Sequence, residues 1–230
     1  MKKSKISSVL EFAMAVVLLN LLFLVCSLPL LTVGTSLTAL YSGLRALIKK
    51  EPYLRTFFKA FRTGFVRSTV AWVILAAINA VPLLHTWYIY GETLHNGQMM
   101  SALPMLLGSL LFAVLLLSIT SMVFLLYSRF ECTVSQLLRY GTSLTLSNLL
   151  RAVSIGLLTW APMFLVIYDA VNTTYYTLLT FTVWLFFYFA LVGIAAIWLM
   201  NRPFALFAGE VLGMNTNQIN QAHNKEEENQ

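Results

Sequence analysis

Four stretches of this chain contain no Asp, Glu, Lys or Arg: Phe12 to Leu44, Ser68 to Gly91, Thr93 to Ser128, and Ala170 to Asn201. A fifth, Ala152 to Tyr168, is shorter. An α-helix rises about 1.5 Å per residue, so about 20 apolar residues cross the roughly 30 Å hydrocarbon core of a bilayer. One water-soluble core cannot bury so many uncharged runs. Only 10% of the chain is charged, against about 25% in soluble domains. Lipid therefore takes the place of the missing polar surface.

The second, fourth and fifth stretches each hold one span, and Thr93 to Ser128 holds one near its C-terminal end. Phe12 to Leu44 is different. As a single helix it would run roughly 50 Å, more than ordinary tilting absorbs. Its middle reads Pro29-Leu-Leu-Thr-Val-Gly34, where proline removes a backbone donor and glycine tolerates a turn. The stretch is expected to fold back as a hairpin. The predicted spans are about 9–28, 36–48, 68–90, 103–127, 150–168 and 175–200.

Charge supports that count, because inner loops collect Lys and Arg. With six spans and an inner N-terminus, all fifteen cations fall inside. They are Lys2, Lys3 and Lys5; Arg45, Lys49, Lys50, Arg55, Lys59, Arg62 and Arg67; Arg129, Arg139 and Arg151; then Arg202 and Lys225. With Phe12 to Leu44 as one span, the three N-terminal lysines would face outward. The expected fold is thus an all-α, polytopic integral membrane helix bundle: six transmembrane helices in three hairpins, both termini cytoplasmic, in a bacterial cell membrane. Residues 1–209 form its single domain.

Two inner loops carry helical signals of their own. Over residues 53–66, Phe57, Phe58, Phe61 and Phe65 recur at helical spacing among Arg55, Lys59 and Arg62, as in a basic amphipathic helix at the inner leaflet or at a docking surface. Residues 132–147 read as a second, entered through Thr133 or Ser135. Residues 210–230, rich in Asn, Gln and Glu, lack apolar periodicity and are expected to be disordered. The N-terminal lysines begin like a signal peptide, but the apolar run is too long and no cleavage site follows, so the segment is expected to stay attached. Cys26 and Cys132 form no disulfide framework.

Chemistry is poorly signposted. No phosphate-binding glycine loop, zinc motif or nucleophile motif is present, so neither an enzyme nor a cofactor or metal site is expected. The cations flank apolar spans and form no single basic face, which excludes nucleic acid as the natural partner. No ionisable residue falls at mid-span depth, where a transporter would keep one. Asn20, Asn79, Ser118, Thr120 and Ser121 offer amides and hydroxyls there. Such groups usually bond between packed helices. His85, His95, Asp169 and Asn172 are placed near the outer surface with an aromatic belt of Trp87, Tyr88, Tyr90, Tyr168, Tyr175 and Tyr176.

The stretch from Leu19 to Gly34, then Thr38 to Tyr41 and Thr56 to Arg62, resembles the YesL family of bacterial membrane proteins, a domain of unknown function numbered 624. Its most specific part is the cluster Asn20, Pro29, Thr32, Gly34 and Tyr41; Tyr127 to Leu138 and Asn148 to Arg151 look similar too. The resemblance implies no catalytic residue. It implies a setting near carbohydrate import, since members are commonly encoded beside ABC sugar transporters and glycan-degrading enzymes. Two functions are expected from different classes. One is an accessory or interaction protein that meets a sugar ABC transporter permease through a basic inner face of Arg55, Lys59, Arg62 and Arg67. The other is a carrier of a small neutral solute using Asn20 and Asn79.

Overall fold

The computed structural model describes residues 5–96, 99–130, 133–172 and 187–211. Among them every regular element is a helix: α1 Lys5–Ser27, α2 Val33–Ile48, α3 Tyr53–Asn96, α4 Met99–Tyr127, α5 Val134–Ser147, α6 Leu149–Asn172 and α7 Phe189–Val211. A 3-10 turn, Leu30–Thr32, joins α1 to α2. The expected span over 175–200 begins outside the described residues; of the tail expected over 210–230, the first two residues belong to α7 and 212–230 lie outside the described residues.

Among the described residues, four helical segments are long and apolar enough to cross a membrane: Ser7–Ser27, Tyr53–Thr93, Ser101–Tyr127 and Phe189–Phe207. Val134–Ser147 and Leu149–Ala161, bent by 111°, make a fifth if taken as one broken span. Large apolar side chains such as Val81, Leu111, Leu150 and Trp198 point outward and are exposed. Apolar surface spread over so many helices suits lipid, not water. This is the build of a membrane protein.

α2 is a different object from the other helices. With 16 residues it is about 24 Å long, shorter than a bilayer core. It is buried without a break from Gly34 to Leu44, and α1, α3, α4 and α7 pack around it. A helix with no exposed face is the core of a bundle. Gly34, Ser36, Ala39, Ser42, Gly43 and Ala46 keep its girth small enough for close neighbours. Three of its hydroxyls are satisfied along the chain, Ser36 donating to the Thr32 carbonyl at 2.9 Å, Thr38 to Gly34 at 3.0 Å and Ser42 to Thr38 at 2.9 Å, while that of Thr35 lies 3.1 Å from Thr69 Oγ1 of α3. Polar atoms can thereby sit in an apolar interior without loss.

The reversal falls at Pro29, in extended geometry with φ −73° and ψ 108°. Thr32 ties it. Its backbone N–H donates to the Pro29 carbonyl at 2.8 Å, and its hydroxyl lies 2.6 Å from the Cys26 carbonyl and 2.7 Å from that of Pro29. Gly34 plays another part than the expected one. It lies inside the first turn of α2, and a Cβ there would meet the Phe124 ring and the Trp72 Cβ at 2.7 Å. Its lack of a side chain serves close packing, not chain reversal.

Trp72 also fixes how far the reversal reaches, because its indole N–H donates to the Leu30 carbonyl at 2.8 Å. From Trp72, α3 continues to Asn96, about 36 Å further along its axis. The α1–α2 reversal is therefore docked midway along α3 and does not reach its far end.

α3 joins two elements that the sequence separates. The basic amphipathic helix expected over 53–66 and the span expected over 68–90 are one helix of 44 residues, about 66 Å long. The change from charged to uncharged residues at Arg67 marks a change of surroundings, while no residue nearby breaks the backbone. The aromatic face of the basic segment is divided. Phe57 is fully buried, with its Cβ against Gly43 of α2, whereas Phe58 and Phe65 are exposed.

α2 ends in a left-handed residue, Lys50, with φ 58°. The Lys50 N–H donates to the Leu47 carbonyl at 3.1 Å and the Glu51 N–H to Ala46 at 2.8 Å, the two bonds of a Schellman closure. α5 begins with a capping box. The Thr133 side chain accepts from the Gln136 N–H, and the Gln136 side chain accepts from the Thr133 N–H. Thr133, of the two expected entry residues, is the cap.

Candidate functional site

The polar residues of the spans are distributed among helix contacts. Asn20 is fully buried, and its Oδ1 accepts the Ala190 N–H at 2.9 Å. That donor lies in the first turn of α7, just after a π-type turn at Phe187 and Tyr188. Early N–H groups of a helix have no partner within the helix, so Asn20 of α1 supplies one from outside. Phe23 packs on Phe189 beside it, with ring centroids 4.9 Å apart.

Tyr41 lies in the bundle core, and its hydroxyl bonds with Thr159 of α6. Its ring also faces Gly193 of α7. Asn79 joins α3 to α4: its Nδ2 donates to Thr120 Oγ1 at 2.8 Å and to the Leu75 carbonyl at 2.7 Å. The Oδ1 of the same side chain is buried without a hydrogen-bond partner. On α6, the Trp160 indole donates toward Ser121 Oγ at 3.2 Å, and its ring stacks on Trp72 at 6.1 Å. Asn20, Pro29, Thr32, Gly34, Tyr41 and Asn79 thus occupy separate contacts around α2, not one solute pocket. The side chains of His95, Cys132, Tyr168, Asp169, Asn172, Tyr175 and Tyr176 lie outside the described residues. Among the described residues, no three His, Cys, Asp or Glu side chains come together as a metal site.

A concave feature lies at the other kind of position, where α2 ends, α3 begins and α4 turns toward α5. Here a cleft of about 660 Å³ is lined by Arg45, Lys49, Lys59, Arg62, Arg67 and Arg129. Among the described residues Glu51 is the one acidic member of that lining. Of the basic face expected from sequence, Lys59, Arg62 and Arg67 enter the cleft. Arg55 does not. Arg45 and Arg129, which sequence reasoning used only as orientation markers, belong to it.

Arg45 is partly buried and fixed. Its Nη1 donates to the Ser128 carbonyl at 3.0 Å and its Nη2 to Ser128 Oγ at 2.9 Å. Ser128 follows the last residue of α4, where unpaired carbonyls give a helix its negative end. A guanidinium is well matched to that end. Arg129 lies near enough for the two positive charges to oppose each other. It is held over the Phe204 ring of α7, 5.3 Å from the centroid, in a cation–π arrangement. Phe130, Phe204, Phe207 and Tyr140 interlock behind it. The wall of the cleft is therefore rigid on the α4–α7 side, while Lys59, Arg62 and Arg67 stand on the exposed edge of α3.

Residues 16–85 match the model of a family described as "Protein of unknown function, DUF624". The match runs from within α1 into α3 and takes in Asn20, Pro29, Thr32, Gly34, Tyr41 and Asn79, together with five of the six cations of the cleft lining, Arg45, Lys49, Lys59, Arg62 and Arg67, but not Arg129. Leu19 to Gly34, Thr38 to Tyr41 and Thr56 to Arg62 fall inside it; Tyr127 to Leu138 and Asn148 to Arg151 do not. No curated protein and no solved structure matches the chain.

Proposed function

We propose that this chain is an accessory or interaction protein of a bacterial cytoplasmic membrane that works beside a sugar ABC transporter permease, with both termini inside. In this reading α1 with α2, α3 with α4, and α6 with α7 are three hairpins giving six membrane-embedded helices, α2 being the short central one. The observation that carries it is how the polar groups are used. Asn20, Tyr41, Asn79 and Trp160 bond from helix to helix, while the cations gather at one end of the bundle. Groups engaged in holding helices together favour a scaffold over a solute path.

The carbohydrate setting rests on the family resemblance alone. A carrier of a small neutral solute is the second reading, and the buried Oδ1 of Asn79 is the observation in its favour. Co-purification distinguishes them. An affinity-tagged copy in mild detergent is expected to bring down permease components, and recovery no higher than from an untagged strain would end the accessory reading. Proteoliposome uptake of oligosaccharides and their monomers, compared between wild type and Asn79→Ala, tests the carrier.

A further inference from the structure

We infer that the basic cleft between α2, α3 and the α4–α5 corner is a binding site for a phosphate ester. Orientation of a membrane protein requires only that Lys and Arg lie on one side. It does not require them to converge. Here, among the described residues, six cations and one carboxylate line a single concavity, whose volume of about 660 Å³ lies in the range of about 300–1,000 Å³ typical of small-molecule sites.

The residue types suit phosphate. Arg presents a planar fork of donors that pairs with two phosphate oxygens, and Lys adds compact charge. Arg45 is already oriented by Ser128, and Arg129 by the rings of Phe130 and Phe204. Two guanidiniums fixed in advance lose little freedom on binding. The hydroxyls at the cleft are less suited to donate. Thr38, Ser42, Thr56 and Thr63 each send their proton to a carbonyl four residues back, so recognition falls to the cations. A like-charged concavity also concentrates an anion from solution or from the membrane surface.

The phosphate has two natural sources, an anionic phospholipid headgroup or a phosphorylated soluble molecule. Exposed Val66 on the rim, with Phe65 beside it, would lie against an acyl chain in the first case. The test uses the full chain. Inorganic phosphate and glycerol 3-phosphate are titrated by calorimetry against protein in neutral detergent. Retention of phosphatidylglycerol over phosphatidylcholine is read by native mass spectrometry.

Saturable, salt-sensitive binding of glycerol 3-phosphate supports the site with a soluble occupant. Selective retention of phosphatidylglycerol alone supports it with a lipid headgroup. In either arm the Lys59→Gln/Arg67→Gln double variant is expected to weaken binding by about tenfold or more, with an unchanged unfolding midpoint. Both residues are exposed, so loss of fold does not confuse the result. Arg45→Lys keeps the charge and removes the fork, and is expected to weaken binding by a smaller factor. Absence of both interactions, or affinities that the double variant leaves intact, would overturn the inference. Neither outcome bears on co-purification with a permease.

Discussion

Replacing Gly156 by alanine tests how this bundle is packed. Gly156 of α6 faces Ser118 of α4, and an added Cβ would stand 2.5 Å from Ser118 Oγ, 2.7 Å from its Cα and 3.0 Å from its Cβ. Ordinary contact begins near 3.4 Å. The Ser118 hydroxyl could rotate, but a Cα cannot, so the two helices must separate by about half an ångström or more. Overpacking of this kind costs about 1–3 kcal/mol. Gly91 and Gly108 provide the internal control. They are also helical, and nothing lies within 4 Å of a Cβ built on either. Alanine there removes the helix penalty of glycine, a gain of about 0.5–1 kcal/mol. The assay is reversible unfolding in mixed detergent micelles, followed by tryptophan fluorescence and circular dichroism. That gain is common to all three glycines, so Gly156→Ala is expected to lie about 1–3 kcal/mol below Gly91→Ala and Gly108→Ala. If it is as stable as those two, α4 and α6 are not in backbone contact at Ser118 and the packing derived around them fails.

The same assay reads three further changes. Asn20→Leu leaves the Ala190 N–H buried without an acceptor and is expected to destabilise by about 1–3 kcal/mol; wild-type stability would mean that the α1–α7 link is not formed. Lys50→Gly relieves a left-handed side chain at the end of α2 and is expected to stabilise by about 0.5–1 kcal/mol, so any loss would place Lys50 in another conformation. Thr133→Ala removes the cap of α5 and is expected to cost about 1 kcal/mol, with Thr133→Ser restoring most of it; equal effects of the two substitutions would contradict the capping box.

The sequence exposed this fold unevenly, for physical reasons. Proline and charge are local signals, so the reversal at Pro29 and the ends of α4 and α5 were legible. Burial is not local. Lipid and protein interior are equally apolar, so hydropathy does not distinguish the lipid-facing helix α1 from the enclosed helix α2. The small residues of α2 carry the missing clue, since Gly34, Ser36, Ala39, Ser42, Gly43 and Ala46 recur along it between bulky residues such as Leu40, Tyr41 and Leu44. The charge step near Arg67 marks no break in α3, because such a step changes what a helix touches without interrupting its backbone. In the basic cleft, Lys59, Arg62 and Arg67 were visible as a helical face. Arg45 and Arg129 were not, because they are 84 positions apart and meet only through Ser128 and the fold.

The placement of α2 links the polar pattern to the shape of the bundle. The α1–α2 reversal is held by Trp72, while α3 runs on for another 24 residues to Asn96. Near the reversal α2 meets Trp72 and Phe124, and at its other end Arg45 caps the last turn of α4. A short helix fixed at both ends has little freedom to slide, because shifting it would break the Leu30–Trp72 bond and the Arg45–Ser128 pair together. Anything that drew Arg45 away from Ser128 would release the cytoplasmic-facing end proposed for α2 while Trp72 still held the other. The cleft and the buried core share Arg45 as well as Thr38, Ser42 and Ala46 of α2, so a ligand in the cleft would bear directly on the helix that the bundle encloses.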